Sequence, residues 1–157
     1  MSVPAVSELR DTLLAHAADT DAWLHLVRHD PDERTYVLLH RDDDVEVYVV
    51  CWMPGHDTGF HDHDASAAAI TVVDGAVKEE RLALTGTVES HLEAGDVVTI
   101  AREAIHRVRH TGDRPAVTLH AYSPPLDRVG TYEVAEDGAL LRHPRAADVP
   151  LEAGVAA

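Results

Sequence analysis

Two periodicities divide the chain. Leu9, Leu13 and Leu14, then Trp23, Leu24 and Val27, recur near helical spacing, so residues 4–29 are predicted helical. Ser7 is the expected N-cap, and Thr20-Asp21 the expected start of a second helix. After Asp30-Pro31 the apolar residues fall into short runs at 36–40, 45–52, 67–73, 76–84, 87–92, 97–101, 105–110 and 116–122. Clusters of Asp, Gly and Pro separate them, among them Arg41-Asp42-Asp43-Asp44, Asp74-Gly75 and Thr111-Gly112-Asp113-Arg114-Pro115. Short strands punctuated in this way predict an all-β sandwich or barrel. The barrel is expected over about 35–135, followed by a loosely ordered tail over 136–157 that is rich in Ala, Pro and charge.

Length and composition narrow the class. At 157 residues the chain reads as a single domain, 1–157, with room for a substantial core. No apolar run approaches the roughly 20 residues of a membrane span, and the N-terminus lacks a secretory pattern; a soluble cytoplasmic protein is expected. The 13 basic and 28 acidic residues give a formal net charge of −15, which argues against nucleic acid or an anionic membrane as partner. The one cysteine, Cys51, excludes an internal disulfide and any multi-cysteine zinc site. Its strand-like neighbours make it a core residue rather than a nucleophile.

The chemistry begins at 51–63, Cys-Trp-Met-Pro-Gly-His-Asp-Thr-Gly-Phe-His-Asp-His. His61 and His63 are two apart, a spacing that on a strand puts both imidazoles on one face. Imidazole is the commonest protein ligand of transition metals, so the pair is half of a candidate metal site. A second row follows. Thr118, His120 and Tyr122 alternate onto one strand face as hydroxyl, imidazole and phenol. Three polar groups buried side by side need mutual hydrogen bonds, which favours a relay in which Thr118 orients His120 and His120 orients Tyr122.

Two spaced motifs resemble those of the cupins, small jelly-roll barrels. Gly55, His61, His63 and Gly75 fall on the first, with Ala68 at its Glu position. Gly95 and His106 fall on the second, while Ala101, Glu103 and His110 replace its Pro, Gly and Asn. The resemblance implies a metal held by His61, His63 and His106, three neutral imidazoles without an anionic protein ligand. Such a centre keeps open positions for a thiolate and dioxygen, and iron(II) suits oxygen chemistry because it can donate electrons.

The chain also resembles the thiol dioxygenases, the cysteine dioxygenase family, over about residues 35–130. The likeness rests on Cys-Trp-x-x-Gly-His at 51–56, His-Asp-His-x-x-Ser at 61–66, Ile-His-Arg-Val at 105–108 and Leu-His-x-Tyr-Ser-Pro-Pro-Leu at 119–126. It implies that His61, His63 and His106 hold iron(II), that His120 and Tyr122 form the pair beyond the ligands, and that Thr118 stands where Ser is usual. It implies further a monomer that converts a small thiol, L-cysteine first, with O2 to a sulfinic acid, and a Ser123-Pro124 bond that is often cis. Ala68 replaces the cysteine that animal members cross-link to the active-site tyrosine. The family's carboxylate-binding Arg or Gln aligns with Tyr36, while Arg34 shares that strand parity and Arg41 lies just beyond, so Tyr36 and Arg34 are the candidate substrate contacts. Alternatives are 3-mercaptopropionate or another thiol, oxidation of a non-thiol substrate, or a non-catalytic small-molecule-binding cupin. Among the other histidines, His56 is expected to shape its loop, His110 to make structural hydrogen bonds, and His16, His25, His29, His40, His91 and His143 to have no ligand role.

Overall fold

The computed structural model describes residues 4–148. Two helices open it, α1 (Val6–Ala18) and α2 (Thr20–Trp23), and a 3-10 turn follows at Leu24–Leu26. Eleven strands follow: β1 (Thr35–Arg41), β2 (Glu46–Trp52), β3 (His61–Asp62), β4 (Ala67–Asp74), β5 (Ala76–Ala83), β6 (Gly86–Glu93), β7 (Val97–Ile100), β8 (His106–His110), β9 (Ala116–Ser123), β10 (Arg128–Val134) and β11 (Leu140–Ala146). They form two antiparallel sheets, a five-stranded β1-β2-β9-β4-β7 and a six-stranded β11-β10-β3-β8-β5-β6. This is the double-sheet cupin jelly roll that the strand pattern and motifs predict.

Strand alternation explains how the layers hold together. In the five-stranded sheet Val47, Val49, Cys51, Ala69, Leu119 and Ala121 face one way and pack with Leu9, Leu13 and Trp23 of the helices. Val50, Trp52, Ala68, Ile70, Val72 and Ala116 face the other way and meet Val77, Leu92 and Val108 of the six-stranded sheet. Burial on both faces accounts for the nearly unbroken apolar run of β4, in contrast to the alternation of a half-solvated strand. Cys51 lies in the helix-covered layer, away from the histidines, as its apolar neighbours suggest.

Two local features differ from the sequence expectations. The N-cap of α1 is Ala5 rather than Ser7, and the Glu8 carboxylate accepts the Ala5 N–H at 2.9 Å, satisfying the helix end from within the first turn. The tail expected to be loose from 136 onward is a paired strand over Leu140–Ala146. The one proline of that strand, Pro144, is tolerated because β11 is an edge strand. The rest of the tail, from 149, lies outside the described residues. Gly75 (φ +74°) makes the β4–β5 turn, where a Cβ would lie 2.7 Å from the Pro115 carbonyl oxygen.

Candidate metal centre

The loop that delivers His61 is fixed by polar side chains at three consecutive positions, His56, Asp57 and Thr58. His56 Nδ1 accepts the Met53 N–H (3.0 Å), Asp57 Oδ1 accepts the Gly59 N–H (2.8 Å), and Thr58 Oγ1 accepts the Val108 N–H (3.0 Å). Asp57 also forms a forked ion pair with Arg107, the Arg of the Ile-His-Arg-Val motif. His56 thus shapes the loop, as expected.

Register then gathers the imidazoles. β3 is only two residues long, but it places His61 directly opposite His106 of β8. His63 follows β3, and the ligating atoms of His61, His63 and His106 all lie within 4.8 Å of one another. All three are buried. Asp62, between the two ligand candidates, accepts bonds from Arg142, Tyr132 and the Gly130 and Asp64 N–H groups. These bonds tie β3 to β10 and β11 and outweigh burial, holding the Asp62 carboxyl down at about 2. Gly130 is required here, since a Cβ would run into Arg142 and lie 2.7 Å from Asp62 Oδ2.

The donor set fits a transition metal. Burial, then the proximity of His106, pushes the His61 and His63 pKa values well below the ordinary imidazole value, so both are neutral with lone pairs available. His61 Nδ1 lies 2.9 Å from the Gly59 carbonyl and His106 Nδ1 lies 2.9 Å from Glu79 Oε2. Those contacts leave each Nε2 for a ligand. The Nε2 atoms of His63 and His106 are 3.3 Å apart. Two nitrogens each about 2.1 Å from one ion lie about 3.0–3.4 Å apart at octahedral to tetrahedral angles. Two lone pairs at that distance repel unless a proton or cation lies between them.

The second row faces this cluster from β9. Thr118 Oγ1 is 2.8 Å from His120 Nε2, and His120 Nδ1 is 3.2 Å from the Tyr122 hydroxyl. The spacing-based relay therefore exists as a hydrogen-bonded chain. It has a further member: Trp52 Nε1 donates to Thr118 Oγ1 at 2.9 Å. The Tyr122 ring centroid lies 5.1 Å from that of His63. Burial, opposed by Arg34 and aided by Glu46, raises the Tyr122 pKa far above its usual value, so the phenol stays protonated. Burial and the Arg34 charge lower His120 well below an ordinary histidine. Ala68 is the cross-strand partner of Tyr122, and the Ser123-Pro124 bond is cis.

The two candidate substrate contacts separate. The Arg34 guanidinium lies over the Trp52 ring, 4.9 Å from its centroid, and its charge reaches His61, His120 and Tyr122. Tyr36 stands one ring further out: it meets Tyr48 edge-on at 5.8 Å, and Tyr48 meets Tyr122 at 6.2 Å. Its hydroxyl donates to the Asp148 carbonyl at 3.2 Å. Sequence reasoning missed two participants. Trp52 belongs to a quoted motif but carried no role. Glu79 sits in the highly charged 78–81 run, which reads as solvated; the signal is its parity with buried Val77, which turns it inward.

The profile of the family "Cysteine dioxygenase type I" matches residues 3–135. Human cysteine dioxygenase type 1 is 26% identical over 140 residues, covering 82% of this chain and 70% of the human protein. The Danio rerio protein of the same name is 25% identical with the same coverage. Among solved structures, TT1209 from Thermus thermophilus superposes with a TM-score of 0.58 at 21% identity, covering 64% of this chain and 92% of that one. A cupin superfamily protein from Desulfitobacterium hafniense gives 0.56 at 13% identity, covering 65% and 87%. The structural likenesses bear on the fold alone, whereas the family profile spans most of the sequence. The chain belongs to the cysteine dioxygenase type I family of cupins.

Proposed function

We propose that the protein oxidises a small thiol, L-cysteine first, to its sulfinic acid with both atoms of O2, at an iron(II) ion held by His61, His63 and His106. The observation that carries this reading is the buried, carboxylate-free imidazole cluster faced by a protonated tyrosine at the end of a hydrogen-bonded chain. Iron(II) would supply the site for thiolate and the electrons for dioxygen.

The protein's own groups do the positioning. The Trp52 indole can only donate, so Thr118 accepts from it, and in this reading the Thr118 proton goes to His120 Nε2. That assigns the His120 proton to Nδ1, which donates to the Tyr122 oxygen. The Tyr122 proton is then free to donate toward substrate, where a fixed hydrogen bond orients the reacting groups. Arg34 is the carboxylate anchor of this reading: it is the cation whose field reaches His61, His120 and Tyr122 in a protein of formal net charge −15. Tyr36 serves as outer wall of the aromatic row rather than as direct anchor.

Oxygen uptake by anaerobically iron(II)-loaded protein, offered L-cysteine, 3-mercaptopropionate and cysteamine separately, tests the reading. Uptake with a product two oxygen atoms heavier is expected with the carboxylate-bearing thiols. Iron binding with no uptake on any thiol overturns it. Tyr122→Phe should keep its iron and lose about 100-fold in kcat, the scale of one lost transition-state donor. A protein that only binds small molecules would show no turnover to lose.

A further inference from the structure

The three imidazoles of the cluster are alike as ligands and unlike in what stands behind them. His61 Nδ1 meets a neutral carbonyl, that of Gly59. His63 Nδ1 is buried with no hydrogen-bond partner among the described residues. His106 Nδ1 meets a carboxylate, Glu79 Oε2, at 2.9 Å, and both residues are only 1% exposed. Strand register makes the contact: Glu79 of β5 pairs with Val108 and Arg81 pairs with His106, so Glu79 lies diagonally across from His106. Arg81 closes the group, with Nε 2.7 Å from Glu79 Oε1 and Nη2 3.3 Å from Oε2. The same Nη2 donates to the Thr99 carbonyl at 2.7 Å.

From this asymmetry we infer that Glu79 supplies, through His106, the negative charge that the all-imidazole ligand set lacks, and that Arg81 limits how much of it reaches the ring. The inference rests on the metal site proposed above. A carboxylate behind a ligating imidazole makes the ring a stronger donor and fixes its orientation. The first cupin motif loses its anionic ligand at Ala68, and Glu79 restores an anion one hydrogen bond further from the ion. Pairing with Arg81 alone does not explain the burial. The Arg81 side chain is 34% exposed and already bonded to Thr99, and a pair formed only for itself would avoid desolvation at the surface. Glu79 is thus a positioning residue that also sets the charge felt at the metal.

Two charge-changing variants separate this role from a structural one. Glu79→Gln keeps size and an acceptor oxygen for His106 but removes the charge; Arg81→Gln removes the opposing charge and leaves the carboxylate. Anaerobic titration with iron(II), the Fe(III)/Fe(II) potential and the thermal midpoint are measured for both and for the parent protein. Glu79→Gln is expected to weaken iron(II) binding about 10- to 100-fold and to raise the potential, because lost negative charge disfavours the ferric ion. Arg81→Gln is expected to lower the potential. Unchanged potentials, or shifts in the same direction, overturn the inference. If Glu79→Gln does not fold, Arg81→Gln decides, since an unchanged or raised potential overturns the proposal. A parent protein that binds no iron overturns the metal site and this inference together. Opposite shifts in a protein that oxidises no thiol leave the inference standing and remove only the reaction.

Discussion

The two walls of the site are built by different means. The β9 wall, with Trp52 beside it on β2, is regular sheet: Thr118, His120 and Tyr122 sit at alternate positions of an eight-residue strand bonded on both sides. Its polar groups satisfy one another in a line, among aliphatic and aromatic neighbours. The opposite wall combines His106 of β8 with a stretch that has almost no regular structure, since His61 belongs to a two-residue strand and His63 follows it. Charge holds it in place instead: Asp57 with Arg107, Asp62 with Arg142 and Tyr132, and Glu79 with Arg81. A strand fixes side chains by repeating the backbone ladder, but a short bridge needs partners for each residue. The metal wall therefore depends on ionised groups, and the tyrosine wall on shape and neutral hydrogen bonds.

The largest expected effect breaks the comparison at its centre. His63→Ala removes a ligand candidate and leaves the β9 chain intact. Iron(II) affinity should fall by more than the about 10- to 100-fold that loss of an outer partner costs. Tyr122→Phe should leave that affinity within a few-fold. Anaerobic titration of both variants checks the pair. Equal losses would mean that the two walls are one cooperative unit.

Acid should act in two stages, the first on both walls and the second on the metal wall alone. His61, His63 and His120 have pKa values depressed below 6.5, first by burial, so the unfolded chain takes up protons that the folded metal-free protein refuses. Their contribution is present above pH 6.5 and is lost as pH falls below it, at up to about 1.4 kcal/mol per histidine per pH unit. Asp62, depressed from 3.8 to about 2, contributes stability above pH 3.8 that disappears as pH drops toward 2. Urea unfolding of the metal-free protein at pH 7.5, 6 and 5 should show a steep decline, with a second loss below pH 4. Flat stability between 7.5 and 5 would mean that the three rings protonate without opening the fold.

The same contrast explains what could be read from the chain. Strands such as β2, β4 and β9 are long enough for their apolar runs to show, and β9 carries Thr118, His120 and Tyr122 on one face by arithmetic alone. His61, His63 and His106 were legible as motif spacing. Their supports were not, because Asp62, Glu79, Arg81 and Arg142 read as ordinary charged residues until register brings them together. Nor was β11 legible: its side chains are mostly exposed and it contains Pro144, so neither burial nor propensity marks it as a strand. Short elements held by distant ion pairs leave little local trace.

The smallest expected effect concerns Thr118, where the tyrosine wall can be probed without changing its charge. The hydroxyl has two partners, receiving the Trp52 Nε1 proton and facing His120 Nε2. Thr118→Val keeps the shape and leaves both partners unsatisfied in a fully buried place, at a cost of about 1–3 kcal/mol in stability. With its Nε2 acceptor role gone, His120 no longer has a reason to keep its proton on Nδ1, so the hydrogen bond to Tyr122 weakens and kcat should fall about 10-fold with iron affinity unchanged. Thr118→Ser keeps the hydroxyl and loses only a methyl group, so kcat should stay within about two-fold while stability drops by about 1 kcal/mol. Steady-state kinetics of the two variants at saturating thiol distinguish the roles. If Ser reduces kcat while Val leaves it unchanged, the methyl packing matters and the hydroxyl does not, and the order of the β9 wall would rest on shape alone.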